Sequence, residues 1–150
     1  MCYMLLLGTD SPTDLSLRNT ELLIFSKELP GLPEEQCLEL SQKWFVGSAH
    51  GCSCGFRHLH VSGVSLGFGG PEDWFPEESA DIEATRQFIG VVRSLVSAGY
   101  QVECVDAWAN DQALASLTGT VDVDLEAVSD DAFRFFENHR FVFVANTEKR

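Results

Sequence analysis

Cys52 and Cys54 stand one residue apart between glycines, in the run His50-Gly51-Cys52-Ser53-Cys54-Gly55-Phe56. In an extended backbone, residues two apart point to the same side. Both thiols then face one way, and His50 joins them if the extension continues. His58 and His60 share a face of the following segment by the same rule. Cysteine and histidine ligands from two adjacent segments suit zinc. The spacing is Cys-x-Cys, however, where zinc sites usually carry Cys-x2-Cys.

The same residues fit a second chemistry. A cysteine beside glycines has exposed backbone N–H groups near it, which lower a thiol pKa or hold an oxyanion. Cys52 or Cys54 would then be a nucleophile, with His50 or Asp111 as base and orienting group. The product of that reading is a cysteine-dependent hydrolase or a thiol-redox enzyme. A third reading needs no reaction. Gly51 and Gly55 permit a tight buried turn in which the two cysteines are small apolar plugs. The chain is then a small binding or interaction protein built round that turn. Cys37 and Cys104 lie in apolar patterns and are expected in the core. His139 is expected at a helix end, against the last carbonyls.

The elements that must position these residues follow from periodicity. Cys2 to Gly8 reads as a short buried strand, closed by turn formers at Gly8-Thr9-Asp10-Ser11-Pro12. A strand is expected over 21–26, and a short helix from Pro33 to about residues 40–42. Residues 43–48 and 56–61 read as further strands on either side of the cysteine run. Residues 62–78 are glycine-rich and read as a long loop, which Trp74 and Phe75 pin to the core. Gly67-Phe68-Gly69-Gly70 lacks the Lys-Ser/Thr of a phosphate loop. The clearest element is a helix over 79–98. Its residues Ile82, Phe88, Ile89, Val92 and Leu95 form one apolar stripe, and Gly99 supplies a left-handed cap. Strands over 100–105, 118–125 and 140–144 alternate with short helices over 110–117 and from Ser129. The expectation is a single α+β domain over 1–150: an antiparallel or mixed sheet of about six or seven strands, one long helix and two or three short ones.

Gly47-Ser48-Ala49-His50-Gly51-Cys52-Ser53-Cys54-Gly55-Phe56 resembles the Gly-Ser-x-x-Gly-Cys-Gly-Cys-Gly-Phe signature of a family of small bacterial proteins of uncharacterised function. In that family a long helix follows, then a strand ending in Trp-x-Gly-Asp. Trp108-Ala109-Asn110-Asp111 is similar to that element, and Cys2-Tyr3 before an apolar run is similar to the family's start. Ser53 and Asn110 stand where the family has glycine. The resemblance implies a shared fold and a shared site; it supplies no activity.

Charge narrows the partners. The chain of 150 residues carries 23 acidic and 10 basic side chains, a formal net charge of −13. With no basic stripe, binding to a nucleic-acid backbone is disfavoured, and the same field repels an anionic membrane. A basic protein, or a second copy of the chain, is the partner class left open. Residues 1–8 are apolar but lack the basic start of a signal peptide. No run approaches the roughly 20 apolar residues of a membrane helix. An odd count of five cysteines fits reduced thiols in a cytoplasmic protein better than a disulfide framework.

Overall fold

In the computed structural model, residues 2–74, 76–109 and 117–145 are described. The long apolar run at the start forms strand β1 (Cys2–Thr9), which lies inside the sheet rather than at its edge. Its neighbours are β3 (Gln42–Gly47) and β5 (Val102–Ala109), both antiparallel to it. Strand β2 (Ile24–Ser26) continues the sheet beyond β3. On the other side β5 pairs with β8 (His139–Val144), and β8 pairs in parallel with β6 (Gly119–Asp124). The order β2-β3-β1-β5-β8-β6 is therefore a mixed six-stranded sheet. A separate parallel pair joins β4 (His58–Leu59) to β7 (Phe135–Phe136).

The pleat of β1 divides its leucines between two faces, as period-two alternation requires. Leu5 and Leu7 enter the main core, while Leu6 packs with Leu38, Val105 and Ala107 on the opposite face. The main core is roofed by helix α1 (Ser79–Ser97), which buries Ala84, Thr85, Phe88, Ile89, Val91, Val92 and Leu95. Phe88 meets Phe56, Phe133, Phe135 and Phe143 at ring-centroid separations of 5.1–6.4 Å. Most of these contacts are edge-on or tilted, the preferred geometry for aromatic pairs. Gly99 closes α1 with φ of +96°, a left-handed cap. Among the described residues no helix is long and apolar enough to cross a membrane.

The fold is thus α+β, with one long helix and a mixed sheet, and the differences from the sequence reading are local. The helix expected from Pro33 is a short 3-10 turn, Pro33–Cys37, because Leu38 turns extended and the chain is drawn to β5. There Glu103 accepts hydrogen bonds from the Glu39 and Leu40 amides, at 2.6 and 2.7 Å. The strand expected over 56–61 shrinks to β4, and a 3-10 turn, Val61–Leu66, occupies the start of the glycine-rich stretch. No helix starts at Ser129. The Phe135 and Glu137 amides instead donate to the Arg57 and Leu59 carbonyls, at 2.8 and 2.9 Å, which draws the segment out as β7. His139 accordingly sits in a strand, not at a helix end: it is buried, with Nδ1 2.9 Å from the Glu137 carbonyl. Trp74 is 66% exposed, and Phe75 lies outside the described residues. The helix expected over 110–117 and the element Asn110-Asp111 lie outside the described residues, apart from Leu117.

The glycine-rich stretch has a structural use. Arg57 is buried with all its guanidinium nitrogens engaged. Nε and Nη2 meet Glu77, each at 2.8 Å, while Nη2 also reaches the Gly69 carbonyl and Nη1 the Asp131 and Phe133 carbonyls. Arg134 donates to the Gly67 and Gly70 carbonyls. Two buried cations thus hold the loop by its backbone oxygens. A guanidinium matches that task because it presents its donors in a fixed fork.

Candidate functional site

The cysteine run forms a turn that folds back beside the first residues of β1. Strand β3 pairs with β1 only from Leu5 onward. Alongside Tyr3 its place is taken by Ser53, whose amide donates to the Tyr3 carbonyl at 3.0 Å. Gly51 sits at φ of +86°, where a side chain would be strained. Gly55 is needed for another reason: a Cβ there would lie 2.7 Å from Ser48. The Ser48 hydroxyl holds the turn together, donating to the Cys52 carbonyl at 2.8 Å and accepting from the Gly55 amide at 3.1 Å.

Ser53 fits where the resembled signature has glycine, and it does not occupy a positive-φ position. Its buried hydroxyl accepts from the Leu5 amide at 2.8 Å and donates to the Val46 carbonyl at 2.6 Å. Leu5 and Val46 are register partners of β1 and β3. The hydroxyl therefore bridges two strands at the point where their pairing ends, and a glycine would leave both groups without that partner.

This turn brings three thiols together. The Sγ atoms of Cys2, Cys52 and Cys54 all lie within 4.8 Å of one another, and each residue is half-buried. The Tyr3 amide also donates to Cys54 Sγ at 3.4 Å. The two thiols of the turn differ in acidity. At Cys52 burial alone would raise the pKa, but hydrogen bonds from the Cys54 amide and the Cys54 and Cys2 thiols outweigh it and lower the value. Burial pushes the Cys54 thiol up to about 11, against the smaller lowering effect of the Tyr3 amide.

Behind the turn stands a buried histidine–carboxylate pair. His58 Nδ1 lies 2.8 Å from Asp106 Oδ2, and Nε2 lies 2.6 Å from the Ser53 carbonyl oxygen. A neutral imidazole has a single N–H, yet both ring nitrogens face oxygen acceptors. Burial pushes the pKa of Asp106 up, and the neighbouring His58 pulls it down. Asp106 Oδ1 is buried without a hydrogen-bond partner among the described residues. The Tyr3 ring stacks on His58 with centroids 3.9 Å apart and planes 3° apart, while Tyr3 Oη donates to Glu137 at 3.3 Å. Burial, then the Glu137 and Asp106 charges, drives the Tyr3 pKa well above the usual phenol range.

Beside Cys54 a cleft of about 430 Å3 opens, with Tyr3, Phe56, His58, Glu77, Glu78 and Asp81 among its walls. On one wall Glu77 pairs with Arg57 at 2.8 Å and with Arg134 at 3.5 Å. Asp81, in the first turn of α1, is half-buried and its carboxyl accepts no hydrogen bond among the described residues. Burial, and next the Glu78 charge, pushes its pKa up.

Of the residues singled out from sequence, Cys52 and Cys54 meet as expected, and the third member of their group is Cys2. Among the described residues no histidine joins that group. His50 is exposed at the outer edge of the turn. His58 is committed to Asp106 and Ser53. His60 is exposed, and its Nδ1 accepts from the Ser62 amide at 3.1 Å. Asp111 lies outside the described residues. The signal that could have found Cys2 was a cysteine at the end of the most apolar strand. Asp106 is the one acid in an otherwise apolar stretch, Val105 to Trp108. Cys104 is wholly buried, and burial holds its thiol well above the usual pKa. Comparison with protein-family models, with curated proteins and with solved structures found no match.

Proposed function

We propose that this protein binds one soft metal ion, of the zinc kind, through the thiolates of Cys2, Cys52 and Cys54. The observation that carries the reading is the convergence of three sulfurs within 4.8 Å from segments about fifty residues apart. Zinc–thiolate bonds are about 2.3 Å long, so sulfurs on one ion stand about 4 Å apart. The three thiols reach that spacing with small side-chain adjustments. Thiolates select zinc and monovalent copper over harder cations. The Tyr3 amide supports a thiolate at Cys54, since a hydrogen bond to sulfur favours its charged form.

The thiol-enzyme reading is less well supported. His58 lines the same cleft as Cys54, but both its ring nitrogens are engaged away from sulfur. Protein purified anaerobically, without chelator or histidine tag, is expected to contain close to one equivalent of zinc or copper. Elemental analysis measures it, and a Cys2→Ser/Cys52→Ser double variant is expected to contain almost none. Wild-type protein that stays metal-free after incubation with excess zinc sinks the proposal.

A further inference from the structure

Resting on that metal reading, we propose that the ion keeps an open fourth position facing the cleft at Cys54, and that this position takes a small thiol bearing a positive charge. Two observations meet here. Among the described residues the thiol group has three members and no fourth protein donor. Cys54 belongs both to that group and to the wall of the cleft. Structural zinc sites are closed by four protein ligands, whereas sites that react or exchange keep three and leave the fourth to water or a substrate. The histidine that could have closed the site, His58, is held off by Asp106 and the Ser53 carbonyl.

The walls of the cleft define the class of ligand. A volume of about 430 Å3 admits a small molecule. Phe56 and the stacked Tyr3–His58 rings supply apolar surface, and Glu77 is taken up by the buried Arg57 and Arg134. Glu78 and Asp81 are the wall carboxylates with no ion pair among the described residues, and Asp81 has no hydrogen-bond partner among them either. A cationic group is therefore favoured in the cleft and an anionic one disfavoured. A soft ion already held by sulfur accepts sulfur again as its next ligand. In the exchange the thiol S–H bond breaks, its proton goes to solvent, and the thiolate replaces the metal-bound water. No electron is transferred.

Cobalt(II) provides the readout, because its thiolate complexes absorb visibly. The protein is loaded anaerobically with one equivalent of cobalt and titrated with cysteamine, which is cationic, or with 3-mercaptopropionate, which is anionic. The expected result is a saturable change in the ligand-field bands, with cysteamine effective at about tenfold lower concentration. Asp81→Asn is expected to keep the cobalt bands and to lose most of that preference. If no cobalt bands form before thiol is added, the metal reading itself fails. If the bands form but cysteamine leaves them unchanged, or strips the cobalt from the protein, the open-site inference is overturned while the metal reading stands. Equal response to the two thiols overturns the charge selection.

Discussion

At the scale of single residues, the two cysteines of the turn are chemically unlike although one residue separates them. Cys52 receives hydrogen bonds that lower its pKa, while burial holds Cys54 at about 11. The thiolate is the reactive form. As pH rises, Cys52 in metal-free protein gains thiolate before Cys54, whose pKa stands at about 11. Peptide mapping after brief iodoacetamide treatment at pH 7–8 is thus expected to find Cys52 carboxamidomethylated ahead of Cys54. The reverse order would refute this assignment of acidity. Ser53 carries a second prediction. Ser53→Ala leaves the Leu5 amide and the Val46 carbonyl without their bridging hydroxyl, in a position that is wholly buried. An unsatisfied buried group costs about 1–3 kcal/mol. Urea unfolding of Ser53→Ala is expected to show a loss of about that size. An unchanged midpoint would mean that the strands close the gap by pairing directly.

At the scale of elements, what holds the site is the meeting of β1, the turn after β3, and the start of α1. Arg57, just after the turn, links these to the loop over 67–70 and to the segment over 131–133. Glu77 is its counter-charge, and the side chains are 1% and 9% exposed. Glu77→Ala removes the counter-charge from the buried Arg57 and Arg134, and breaking one partner of a buried pair costs about 3–5 kcal/mol. A loss below about 1 kcal/mol by denaturant unfolding would show that water reaches the guanidinium. The elements legible in the sequence were those with local causes. Helix α1 has a periodic stripe and a glycine cap, and β1, β5, β6 and β8 have apolar or alternating runs. What failed to read were segments whose backbone partners are distant. Pro33–Cys37 stays a single 3-10 turn because Glu103 captures the amides that follow it. Residues 133–137 abandon a helix because β4 and the Arg57 guanidinium take their backbone groups. The glycine stretch, read only as a long loop, serves as a row of carbonyl acceptors for Arg57 and Arg134. At the site, Cys52 and Cys54 do come together, but in a turn and not in the extended run from which alternation set them on one side. Alternation could not find Cys2, whose approach depends on Ser53 replacing β3 beside Tyr3, or show that Asp106 would claim His58.

At the scale of the whole molecule, the site ties the first strand of the chain to its middle. Strand β1 lies between β3 and β5, so an ion held by Cys2 bears on the centre of the sheet. A ligand that binds only the folded state stabilises it by mass action. The formal charge of −13 favours a cation over any anionic partner. The central claim is a metal site made by three particular thiols, and anaerobic cobalt(II) titration followed by sulfur-to-cobalt charge-transfer absorption tests it most directly. Wild-type protein is expected to saturate at one equivalent, with an intensity per cobalt that corresponds to three thiolates. Cys2→Ser, Cys52→Ser and Cys54→Ser are each expected to lose at least a third of that intensity and to bind more weakly. Cys37→Ser, His50→Ala and His60→Ala are expected to behave as wild type. Charge-transfer absorption that survives Cys2→Ser unchanged, or that disappears with His50→Ala, would contradict the account.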